Sequence, residues 1–131
     1  MEINGHGLEC KLQFSRPDSE GWMTTTVNIV VPNFEGGFSC TVEIKEFRGF
    51  LAKLIELKNS IGKEFETSWG NMEGNIEFRF TLQKLGGLIG AYKFSSDINS
   101  GPTLSGEFGA DQTFIEKWIK QAEEVAADAG R

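Results

Sequence analysis

Basic excess is the first thing this chain lacks. Against 19 Asp and Glu stand 13 Lys and Arg, for a formal net charge of −6 and a pI near 4.8. The acidic surplus is spread along the chain, and no basic stripe offers itself to phosphates. That composition argues against nucleic-acid binding and against docking to anionic membranes. An acidic surface suits a basic protein partner, although mild acidity also serves solubility. Histidine is nearly missing as well: His6 is the only one, in the glycine-flanked run Asn4-Gly5-His6-Gly7. A hydrolase triad would have to use it, yet no serine has the Gly-x-Ser-x-Gly setting of a nucleophile elbow. His6 is therefore read as an exposed residue without a chemical role.

Only two cysteines are present, Cys10 and Cys40, each inside an apolar alternation. They read as small buried hydrophobes in a reducing, cytoplasmic setting, with a disulfide between neighbouring strands as the other possibility. With His6 they lack the close pairing of a zinc site, and the carboxylates do not follow a calcium-loop spacing. No metal and no cofactor is expected. No apolar run approaches membrane-spanning length, and Met1 to Gly5 has neither the basic nor the apolar region of a signal peptide. Tyrosine occurs once against 11 phenylalanines. Rings without hydroxyls point to packing, since a buried phenol needs a hydrogen-bond partner.

What is there is regular alternation. Leu8, Cys10, Leu12 and Phe14 make a first strand, ended by the turn Arg16 to Gly21. From Trp22, a second strand carries Met23, Thr25, Val27, Ile29 and Val31 on one face. Pro32 stops it, and Asn33-Phe34-Glu35-Gly36-Gly37 reads as a turn. Phe38, Cys40, Val42 and Ile44 form a third strand. The period changes at Lys45, where Phe47, Phe50, Leu51, Leu54, Ile55 and Lys58 follow helical spacing and Gly62 is placed as the C-terminal cap. Gly49 lies inside this helix, and close packing against another backbone would account for it.

Strands then resume over Phe65 to Trp69, over Ile76 to Leu82, and over Leu88 to Phe94 beyond a Gly86-Gly87 hairpin. After the polar loop Ser95 to Pro102, Leu104, Gly106 and Phe108 alternate and lead into a final helix. Ile115, Trp118, Ile119, Ala122, Val125, Ala126 and Ala129 share one face of that helix. Asp111 or Thr113 is its N-cap, and Thr113 stands three residues before Glu116, as in a capping box. The expected fold is α+β in the order βββ-α-ββββ-α, one domain over residues 1–131, a strongly bent antiparallel sheet of about seven strands packed against two helices.

The candidates for chemistry are few. Gly62-Lys63 resembles the end of a P-loop but lacks its first glycine and its hydroxyl, and Gly87-Leu88-Ile89-Gly90 opens a strand where a phosphate loop opens a helix. Glu64, Glu66 and Glu77, beside Arg79, would serve acid–base chemistry only if they lined a concave, water-poor pocket. Trp22, Trp69 and Trp118 would line a ligand pocket only if the bent sheet left one open; core packing is the alternative.

An ordered set of motifs gives more. Trp22 leads into a strand, Phe34-x-Gly36 precedes the next, and Phe50-x-x-x-Leu54-x-x-Leu57 lies in the first helix. Gly62-x-x-Phe65, Glu73-Gly74, Gly87-x-Ile89 and Leu104-x-x-x-Phe108-x-x-Asp111-Gln112-x-x-Ile115 follow in turn. In these features the chain resembles the WapI-type bacterial immunity protein family and related small uncharacterised bacterial proteins. The resemblance implies a non-enzymatic, cytoplasmic protein that binds and neutralises the toxic domain of a cognate bacterial toxin. It carries over no catalytic residues and no defined partner surface. The alternative from the residues alone is a small-ligand-binding protein using the hollow of the bent sheet.

Overall fold

A computed structural model describes residues 1–130. Eight strands and two helices follow in order: β1 (Glu2–Gly5), β2 (Leu8–Phe14), β3 (Trp22–Val31), β4 (Phe34–Glu43), α1 (Ile44–Asn59), β5 (Phe65–Gly70), β6 (Ile76–Leu82), β7 (Leu88–Ser95), β8 (Thr103–Ala110) and α2 (Gln112–Ala129). The class is α+β, as expected. The single sheet of about seven strands expected from the connectivity is instead two antiparallel sheets of four, β1-β2-β3-β4 and β5-β6-β7-β8.

The seam between them explains the difference. His6 and Gly109 exchange backbone hydrogen bonds at 2.7 and 2.9 Å, the one bridge that joins the β1 edge to the β8 edge. Pairing goes no further because the chain reverses at Gly7, whose φ of 96° suits glycine, and enters β2. The bend is thus concentrated at one pair of residues. β1 itself is an addition to the expected strands: only Ile3 of its four residues is buried, so alternation had nothing to reveal.

Phe34 to Gly37 is a second departure. Those residues continue β4, paired with β3 from Val31↔Phe34 to Asn28↔Gly37, and only Pro32-Asn33 makes the turn. Asn33 takes φ 70°, a left-handed conformation that asparagine tolerates better than most residues. Glycine is normally poor in strands, but a Cβ at Gly37 would stand 2.8 Å from Asn28 Oδ1 and 3.2 Å from Val27 O. Glycine is what the close pairing admits.

The core lies between the inner faces of the sheets and the helices. Phe47, Phe50, Leu54 and Leu57 of α1 and Ile115, Trp118, Ile119 and Ala122 of α2 are buried. Ile55, expected on the apolar face of α1, is 41 % exposed, because the stripe that packs inward is the narrower Phe47-Phe50-Leu54-Leu57 row. Phe50 stands among Trp69, Phe78 and Phe80, and Trp118 meets Phe80 and Phe108. Gly90, in the middle of β7, leaves the space that the ring of Phe108 occupies. β7 is an inner strand of its sheet, and its outer face is open: Ile89 and Lys93 are exposed.

Polar pins fix the layers. Trp118 donates its indole N–H to Asn4 O at 3.1 Å, and the Glu2 backbone N–H donates to Gln121 Oε1 at 2.7 Å, tying α2 to β1. Glu46 accepts from the backbone of Glu43 and Met72, at 2.9 and 2.6 Å, and its carbonyl accepts from Trp69 Nε1. Asn71 donates to Thr41 O at 3.2 Å, connecting the turn after β5 to β4 in the other sheet.

Gly49 is not explained by close packing. A Cβ built there meets nothing within 4 Å. Gly49→Ala is accordingly expected to raise stability by up to about 1 kcal/mol, through helix propensity alone. A thermal melt checks this; a lowered midpoint would mean that the glycine has a packing role.

Gly62 has φ 99° two residues beyond the C-cap Ser60, so it shapes the exit from α1 without being the cap itself. The β6–β7 connection is a five-residue loop closed by Gln83 N–H to Gly87 O, at 2.8 Å.

Candidate functional site

Taken one by one, the residues that attracted chemical readings are dispersed. His6 has an exposed side chain whose ring meets the edge of Phe114, with centroids 5.2 Å apart. Glu64, Glu66 and Glu77 are all exposed, and Glu66 forms a solvated ion pair with Arg79 at 3.4 Å. Glu64 and Glu66 border one shallow depression, while Glu77 borders another with Arg79 and Lys93. Carboxylates so placed are solvated and share no concave, water-poor pocket. The tryptophans do not converge: Trp118 is in the core, Trp69 is bonded to α1, and Trp22 is half-buried at the start of β3. The hollow between the sheets is filled by the helices' own aromatic side chains.

Both cysteines are free. Cys10 pairs with Ile29 and Cys40 with Thr25, on opposite sides of β3. Burial pushes the Cys10 thiol up to about 12. Cys40 is pushed up to about 11, by burial first and then by the carboxylates of Glu73 and Glu46. Each thiol stays protonated at neutral pH and is a poor nucleophile.

Among the family-like marks, Gly74, Asp111 and Gln112 have structural roles. Gly74 takes φ 77° in the turn between β5 and β6. Asp111 is the N-cap of α2, its Oδ1 accepting from the backbone of Thr113 at 2.9 Å and Phe114 at 3.4 Å. The Thr113–Glu116 capping box does not form, because the helix starts at Gln112 and places Thr113 already inside it; Gln112 bonds Glu116 instead, at 3.2 Å. Asp111→Ala is expected to lower stability by about 0.5–2 kcal/mol. Denaturant unfolding measures this; a variant of undiminished stability would reverse the assignment of Asp111 as a stabilising cap.

One hollow combines apolar walls with unpaired charge. It lies at the N-terminal ends of β4 and β8, opposite the ends that run into the helices, and no helix residue lines it. Ile29 and Phe38 from one sheet face Phe94 and Leu104 from the other, with Pro102 of the loop before β8, around an open groove of about 390 Å³. Phe34, 66 % exposed, stands at its rim, and a Cβ on Gly36 would meet nothing within 4 Å. A second hollow, sharing Ser96 with the first, carries Glu73, Asp97 and Ile98. Neither is lined by Lys, Arg or His. The sequence marks no groove here: Phe34 to Gly37 read as a turn containing the family-like Phe34-x-Gly36, Ser96 and Pro102 as part of a polar loop, and the other groove residues as strand alternation.

No helix among the described residues is long and apolar enough to cross a membrane. No curated protein and no solved structure is matched by the chain. A family model, the immunity protein WapI-like family, matches residues 2–129, nearly the whole length. The chain therefore belongs to the WapI-like immunity protein family.

Proposed function

We propose that this protein is a cytoplasmic immunity protein that binds the toxic domain of a cognate bacterial toxin and neutralises it by masking, without catalysis of its own. The observation that carries this reading is the family match, which spans both sheets and both helices. Masking needs a rigid, pre-formed surface more than a reactive group, because a surface that must order itself on binding loses affinity. The pinned layers described above fit that requirement. The acidic balance of the chain supports association with a basic partner, through faster, salt-sensitive encounter.

The test pairs this protein with the toxin domain encoded beside it. Cells expressing that domain are expected to survive when this protein is co-expressed. The purified pair, with the toxin inactivated, is expected to elute as a one-to-one complex. Absence of both protection and complex formation would sink the proposal.

A further inference from the structure

We infer that the groove at the N-terminal ends of β4 and β8 is the partner-binding surface, and that it takes a basic protein segment that inserts one large apolar side chain over Gly36. This rests on the reading of the protein as a toxin-binding module and supplies the surface which that reading leaves open.

Three observations converge on the groove. First, it is apolar where a surface should not be: Phe34 and Ile98 are 66 and 62 % exposed. They border the groove and its adjoining hollow, where the Ile98 side chain would lie 3.4 Å from a Cβ on Gly74. Clustered exposure of this kind marks interaction sites, unlike single exposed side chains. Second, the space is already built. Gly36 sits opposite Ile29 in the β3–β4 register, and the volume that its missing side chain would take is empty. An apolar anchor seated in a preformed pocket is the usual centre of a protein interface.

Third, the charge around it has one sign. Glu35, Glu73 and Asp97 surround the two hollows, and no basic residue lines either. The Arg79–Glu66 ion pair is elsewhere. Asp97 is held in its loop by Asn99 N–H and Ser100 Oγ, at 2.9 and 3.2 Å. The carboxylates of Glu35 and Glu73 have no counter-ion here. Lys or Arg flanking the inserted side chain would meet Glu35 across the β4 edge and Glu73 at the adjoining hollow, and such peripheral charges set association rate and its salt dependence. Of the other depressions, one carries Lys11 and Arg16, another Arg79 and Lys93, and in the third, which also lacks a basic lining residue, Glu66 is already paired with Arg79. The free outer edge of β4 lies alongside, so an extended segment is the form of partner that the site accommodates best.

The experiment measures binding of the purified, catalytically inactivated toxin domain encoded beside this chain. Four variants are compared with the native protein: Gly36→Val, Phe34→Ser, the double change Glu35→Lys with Glu73→Lys, and Leu85→Ser as a control. Gly36 has no positive φ, so valine there fills the groove without backbone strain. Leu85 is fully exposed at the β6–β7 loop, away from the groove residues. Thermal melts verify that each variant is folded; Phe34→Ser covers the case of a misfolded Gly36→Val. Gly36→Val and Phe34→Ser are expected to weaken binding by about tenfold or more. The charge reversal is expected to slow association by about tenfold at low salt, with the difference shrinking as salt rises. Leu85→Ser should bind as the native protein does. Native-like binding by folded groove variants would overturn the assignment of the surface while leaving the toxin-binding reading intact. A native protein that does not bind at all would overturn both.

Discussion

A chain ending at Asp111 is expected to have no cooperative unfolding transition. α2 is the element that the two sheets close upon. It buries Ile115, Trp118, Ile119 and Ala122, none more than 7 % exposed, and Phe114, Val125 and Ala126 pack against the same core. Each large apolar side chain buried contributes about 1.5–3 kcal/mol, so the helix supplies an amount comparable with the whole stability of a domain, about 5–15 kcal/mol. Its removal also strips the partners of β1: the Trp118 indole bonded to Asn4 and the Gln121 amide bonded to Glu2. β1 is the strand through which the sheets are bridged, so loss of α2 weakens the seam as well as the core. Circular dichroism on the truncated chain decides the matter. A soluble product with a sharp melt would show that the sheets hold together without their second helix.

The same region shows why some of this fold was legible in the sequence. Trp118, Ile119 and Ala122 announce a helix face by spacing alone, and Asp111 announces its start by a local rule of capping. Ile76, Phe78 and Phe80 announce a strand in the same way. What escaped depends on contacts between distant residues. β1 pairs with the neighbouring β2, but Asn4 and the adjoining His6 fix it in place through partners in α2 and β8, more than a hundred residues away. Phe34 to Gly37 is strand because β3 pairs with it, and its composition alone favours a turn. Whether the strands make one sheet or two is decided at His6 and Gly109, a pair that no periodicity marks. The groove is harder still. Its walls come from β3, β4, β7, β8 and the loop before β8, and its floor is the side chain that Gly36 does not have. Alternation tells which face of a strand turns inward; it does not tell where the inward faces of two sheets part.

Phe50→Ala is expected to cost about 3–5 kcal/mol, the upper range for truncating a buried aromatic residue. The Phe50 ring is wholly buried, with centroids 4.6 Å from Trp69, 6.0 Å from Phe78 and 6.2 Å from Phe47. Alanine would leave a void bounded by rigid rings on two elements, α1 and the β5–β6 pair. Rings that are stacked on one another and fixed by their own strands collapse poorly into such a space, which is what makes a cavity expensive. Trp69 would keep its hydrogen bond to Glu46 and so would be held away from the void. Phe34→Ala removes the same atoms from the groove rim and should change stability by no more than about 0.5 kcal/mol. Urea unfolding of the two variants, read at equal m-values, separates a phenylalanine that builds the fold from one that the fold leaves facing outward. If Phe50→Ala fell within 1 kcal/mol of the native protein, with the approximate scale set by ordinary surface changes, the aromatic cluster would not be the centre of the core. If Phe34→Ala proved as costly as Phe50→Ala, the groove would be a closed part of that core and no docking surface.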